Sequence, residues 1–176
     1  MKILIAIFIT IFMFSCSEEK INPVIDSSTT NGEIPSQESW NSKITFTEDG
    51  NVKAVLYSDY LKKYDESKET MLEGVKIVFF NKDGTRASTL TSKKGRVDEA
   101  SKNMFAIDSV VAVSDSGVTV RTDELMWNNS KNKITTDKFV TIISPEEEIS
   151  GYGFESDQSL DNYVIYNITY VTDLKD

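Results

Sequence analysis

Side chains able to do chemistry are unevenly supplied in this sequence. It holds 28 Asp and Glu against 19 Lys and Arg, one cysteine and no histidine. Pairs such as Asp123-Glu124 and the run Glu146-Glu147-Glu148 have the composition of an acid–base pair or a hard-cation site. Acidic turns on a solvated surface have the same composition. No serine, lysine or tyrosine is recognisably placed with a base that would activate it as a nucleophile. Without histidine the commonest metal ligand and proton shuttle is also missing. The expectation is a protein that is not an enzyme, with no catalytic residues, no metal and no cofactor.

The remaining reactive group is Cys16, and its position is informative. Residues 3–14 are apolar except for Thr10, too short a run for a membrane-spanning helix, which needs roughly 18–20 residues. Lys2 supplies a positive amino-terminal region and Ser15 the small residue beside a cleavage point, so residues 1–15 read as a signal peptide. Cys16 directly after it is the arrangement of a bacterial lipobox, in which the thiol is acylated and the chain is cut just before it. Two or three acyl chains hold a protein stably on a membrane surface. Residues 16–39, "CSEEKINPVIDSSTTNGEIPSQES", carry no apolar periodicity and read as a tether, with a reach of roughly 25 Å for a flexible chain of this length. A lone cysteine builds no internal disulfide. The net charge of −9 argues against nucleic acid as a partner.

From Trp40 onward the chain consists of short runs of β-branched and aromatic residues broken by Gly, Asn and Asp. "EDGN", "NKDG" and "SDSG" each lie between alternating apolar runs, the strongest short-range signal for a hairpin. "LKKYDESKETMLEG" is the only helical candidate, and its charges form no clean face. Residues 40–176 therefore read as one all-β antiparallel domain. A weak internal repeat runs through it. Aligning Lys102-Asn103 with Lys131-Asn132 places Phe105 over Ile134, Val111 over Val140 and Val113 over Ile142. Met71, Ile77 and Phe79 continue these columns upstream, and Val164 extends them downstream. Such units cannot bury an apolar face alone and must stack or fold into a sandwich.

The stretches "PSQESWNSKITFTEDGNVKAVLYSDYLKKY", "EGVKIVFFNKDG", "GVTVRTDELMWNNSKNKITTDKFVTI" and "SGYGFESD" resemble the LptC family of lipopolysaccharide-export proteins, in particular its lipoprotein-type members from the Bacteroidota. The resemblance spans about residues 35–172 and is most specific in "G-V-x-V-x-T-x-x-L-x-W" leading to "I-x-T-x-x-x-V-x-I". It implies an open, twisted antiparallel β-jellyroll whose two sheets enclose an apolar slot for the acyl chains of lipopolysaccharide. Such a protein receives the glycolipid from an inner-membrane ABC transporter, through its permeases. It passes the glycolipid to an LptA-like bridge protein that pairs end to end with it. The slot lining expected on this basis, from the repeat columns and their neighbours, is Ile77, Phe79, Phe105, Val111, Val113, Leu125, Trp127, Ile134, Val140, Ile142 and Phe154. An ordinary dry core would use the same residues. The partner edge is expected on the last strand, with Tyr163, Ile165 and Ile168. Gly153 matches a functionally sensitive glycine of the family, and Gly151 competes with it for that place.

One departure is that better-studied members carry a transmembrane anchor, where this chain has the lipobox. The resemblance places the protein on the periplasmic face of the inner membrane. The acidic "CSEEK" leaves an outer-membrane lipoprotein as the alternative. The alternative function is a lipid-anchored structural or adhesion β-sandwich with a dry core.

Overall fold

Asp49 and Gly50 both adopt positive φ, 51° and 80°. Two successive residues in that region make the type I′ turn whose twist matches a right-twisted hairpin. In the computed structural model, which describes residues 33–174, this turn joins β1 (Gln37–Glu48) to β2 (Asn51–Tyr64). The other two Gly-containing turns place only the glycine at positive φ. Gly84 (φ 83°) lies between β3 (Glu69–Phe80) and β4 (Arg86–Asp98), and Gly117 (φ 95°) between β5 (Met104–Ser114) and β6 (Thr119–Asn128). The helical candidate is instead the β2–β3 connection, closed by Lys68 at φ 54°. β7 (Lys133–Ile143), β8 (Glu147–Ser156) and β9 (Tyr163–Asp173) complete the chain.

All nine strands pair antiparallel with their sequence neighbours, in the order β1 to β9. The fold is all-β and open. The expected two sheets are thus one continuous sheet that folds over on itself. The fold line is written in the backbone. Register breaks cross the middle of the sheet at Thr91/Lys94, Ile107/Val110, Thr122/Met126 and Thr136/Phe139, and end at Ser150/Gly151. Asn41, Gly74, Asp108, Ser109 and Gly153 have positive φ along the same line. Bulges of this kind bend a strand and increase its twist.

A bend that inserts one residue also changes which side chains point inward. β3 buries Thr70 and Leu72 before Gly74, then Val75, Ile77 and Phe79 after it. In β6 Val120 is buried, in line with Val118 just before the strand, and then Leu125 and Trp127. Both halves of each strand thereby face one interior. The two layers meet through side chains: the ring of Trp127 in β6 lies edge-on to Phe46 in β1 and Phe79 in β3, at 5.9 and 5.7 Å. Lys53 in β2 hydrogen-bonds Asn132 in the β6–β7 turn, and Ser88 in β4 donates to the carbonyl of Gln158 beyond β8.

The structure corrects three of the expected interior residues. In β5 the inward set is Met104, Ala106, Val110 and Ala112, whereas Phe105 and Val111 are half-buried and Val113 is 42% exposed. Phe105 lies on the outer face under the guanidinium of Arg96, 4.0 Å from its ring centre. The cause is a one-residue slip in the repeat. The left-handed turn residue is Lys102 in one unit and Asn132 in the other, so the repeat is one residue longer than the "SKN" match suggests, and Met104 is the true counterpart of Ile134. Met71 and Val164 are likewise outside the buried set.

The domain also starts earlier than residue 40. Glu33 accepts the backbone N–H groups of Glu66 and Ser67, and Ser36 N–H donates to the carbonyl of Lys63. The expected signal peptide at residues 1–15, the expected lipidation site Cys16 and the first part of the expected tether lie outside the described residues. The corrected register makes a direct prediction: Met104→Ala lowers unfolding free energy by about 2–4 kcal/mol, and Val113→Ala by less than about 0.5 kcal/mol. Denaturant midpoints in the opposite order would restore the slipped alignment.

Candidate functional site

Residues opposite one another in register share a face, so the inner surface can be traced across the sheet. One inward row runs Leu56, Ile77, Leu90, Ala112, Val120, Ile142, Ile149 and Val171. A second runs Val97, Met104, Trp127, Ile134 and Ser156 to Tyr163. Eight of the eleven expected lining residues lie in this interior: Ile77, Phe79, Leu125, Trp127, Ile134, Val140, Ile142 and Phe154 are all buried. Phe105, Val111 and Val113 are not brought to it.

The interior is not sealed uniformly. Toward β9 the inward positions come out into solvent. Ile168, opposite Gly151, is 56% exposed and Val171, opposite Ile149, is 52% exposed, while Tyr163 and Ile165 still pack against the core. The three residues assigned from sequence to the partner edge, Tyr163, Ile165 and Ile168, thus have their side chains on the inner face of the sheet. Only the far backbone edge of β9 is left without a strand. β1 bounds the sheet at its other side, also with one edge unpaired.

At the end that carries the β1–β2 and β8–β9 connections the interior is covered by polar contacts. Lys53 pairs with Glu48 at 2.9 Å and reaches Asn132. It stands between a polar cavity of about 530 Å³, which includes Lys82, Asn132 and Gln158, and a smaller one of about 330 Å³ floored by Ile44, Phe46 and Val97. The loop at residues 157–162 sits beside the larger cavity. Its Asp157 carboxylate accepts Ser159 Oγ, Asp161 N–H and Asn162 Nδ2. Burial opposes the charge, but the bonds from Asn162 and Ser159 hold this carboxyl below its ordinary pKa. Leu160 of the same loop is fully buried in the core. Among the described residues two buried side-chain donors lack a protein acceptor, Trp127 Nε1 and Gln158 Nε2. Sequence reasoning missed Leu160, Lys53 and Phe46. The signal for Leu160 was a single large apolar residue inside the polar stretch "SDQSLDN".

No three acidic residues converge as a metal site among the described residues. Asp123 and Glu124 lie in β6, and Glu146 to Glu148 straddle the start of β8. The arrangement offers an apolar, largely aliphatic surface open on one side, suited to holding hydrocarbon.

The two competing glycines separate clearly. A Cβ on Gly151 would run into the backbone of β9, at the Asn167 carbonyl and the Ile168 Cα. Gly153 has φ 75° and its Cβ would meet only the ring of Tyr166, at 3.1 Å. Gly151→Ala is therefore expected to strip β9 from the sheet, at about 3 kcal/mol or more, against about 1–2 kcal/mol for Gly153→Ala. Hydrogen exchange of the β9 amides reads the difference; equal protection in the two variants would refute it.

The family model described as lipopolysaccharide-assembly, LptC-related, matches residues 3–170. Comparison with curated proteins finds no match.

Proposed function

The chain belongs to the LptC-related family of lipopolysaccharide-assembly proteins, and from that premise we propose that its slot carries the acyl chains of lipopolysaccharide between an inner-membrane ABC transporter and an LptA-like bridge protein. Membership gives the coarser role plainly: a protein of lipopolysaccharide transport in the envelope, associated with the periplasm and inner membrane, rather than an enzyme.

The observation that carries the finer reading is the continuous inward apolar row that begins buried at Leu56 and Ile77 and ends exposed at Val171, with Ile168 exposed beside it. Exposed apolar side chains on an inner face leave part of the core uncovered. A lipid tail is the chemistry that covers such a surface. Burying one twelve-carbon chain is favourable by roughly 10 kcal/mol before costs, at about 0.8 kcal/mol per methylene. That is enough to compete with a bilayer for one chain. The unpaired edge of β9 supports end-to-end pairing with the bridge protein, since a bare edge recruits a strand. Cys16 supplies the anchor in this reading, by acylation behind the apolar run.

Two experiments test it. A photo-crosslinking residue at Val140 or Ile142 in living cells is expected to capture lipopolysaccharide, and the same residue at Thr141, which hydrogen-bonds Ser150 on the outer face, is not. Capture at neither parity in a folded, membrane-held protein would leave the dry-core scaffold as the better account. For the anchor, a palmitate analogue fed to cells is expected to label the natural chain and not Cys16→Ser. Equal labelling would remove Cys16 from that role.

A further inference from the structure

The loop at residues 157–162 does something a simple β8–β9 connection does not need to do. It crosses to the other layer, where the carbonyl of Gln158 takes the hydroxyl of Ser88 at 2.5 Å. It then turns inward so that Leu160 is buried completely among the core residues. To do so Leu160 adopts φ 61°, a left-handed conformation that a non-glycine residue rarely takes without compensation. The loop is otherwise held by hydrogen bonds, those of Asp157 and the bond from Ser156 Oγ to Asn162 O. Beside it lies the 530 Å³ cavity, lined in part by Asp157, Gln158 and Ser159. The side-chain amide nitrogen of Gln158 has no acceptor in its buried position.

We propose that the place filled by Leu160 is a second acyl subsite at the closed end of the slot, occupied in the empty protein by the chain's own leucine, and that the terminal methylenes of a bound acyl chain displace it. This rests on the slot reading above. The apolar gain from burying one leucine and the strain of its left-handed backbone are of similar size, so the exchange is close to balanced. An acyl end restores the apolar contacts that Leu160 gives up. The released loop relaxes its φ, and the adjoining cavity gives it room to move. Ile134 shares the core cluster with Leu160 and pairs with Ser156 at the base of the loop, which makes it the probe position on the loop side.

The test compares two probe positions in the purified full chain, Ile142 toward the open side and Ile134 beside the loop. A photoreactive residue is placed at each, with a sixteen-carbon fatty acid as ligand. Capture at 142 is expected to be the same in all variants. Capture at 134 is expected to rise about tenfold in Leu160→Gly, which removes both the stopper and the strain and so shifts the loop equilibrium. Asp157→Asn, which loosens the loop without touching the core, is expected to act in the same direction and guards against misfolding of the first variant. Capture at 142 with none at 134 in either variant overturns the subsite and leaves the slot standing. Capture at 134 that is unchanged by both variants shows that Leu160 does not occupy the acyl position. Capture at neither position defeats the slot reading and the subsite with it.

Discussion

The crease across the middle of the sheet is the constraint on which the rest depends. A nine-stranded meander with one apolar face has no second sheet to bury it against, so it must fold onto itself. The register breaks and left-handed residues, from Asn41 and Gly74 to Asp108, Ser109 and Gly153, allow that bend. Because each bend shifts the alternation where one residue is inserted, both halves of strands such as β3 and β6 contribute to one interior. A straight sheet with the same composition would expose half of its apolar side chains.

Folding one sheet over, rather than stacking two, has a consequence for its ends. The layers are joined by side-chain contacts such as Phe79 on Trp127 and Lys53 on Asn132, and no strand hydrogen bonds link β1 to β9. The interior is therefore bounded by two free edges. Near β1 aromatic packing and the Lys53 contacts cover it in part, with Ile44 and Phe46 half-buried, and along β9 it opens, with Ile168 and Val171 uncovered. A closed barrel would abolish both edges and with them the opening along β9. Openness and the hazard of a bare edge have one geometric origin.

What the sequence by itself determined is what depends on local chemistry. The Asp-Gly and Ser-Gly turns fixed the hairpins, because only a few residues tolerate positive φ. The alternating runs fixed an all-β antiparallel chain, and the motif spanning residues 117–142 carried the family. The inward side chains of β3 and β7, such as Ile77 and Val140, were legible from their columns, and Phe154 of β8 from its place after the "GYG" turn. Tertiary structure alone decided the face of β5, the fold line and the end of the interior covered by the loop at residues 157–162. A match between two short polar turns leaves a one-residue ambiguity, and a period of two converts that ambiguity into a reversal of inside and outside, so Phe105, Val111 and Val113 fell on the wrong side. Leu160 and Lys53 owe their places to contacts with strands far away in sequence. No local pattern encodes which distant layer a loop will meet, because that is set only when the whole sheet has bent.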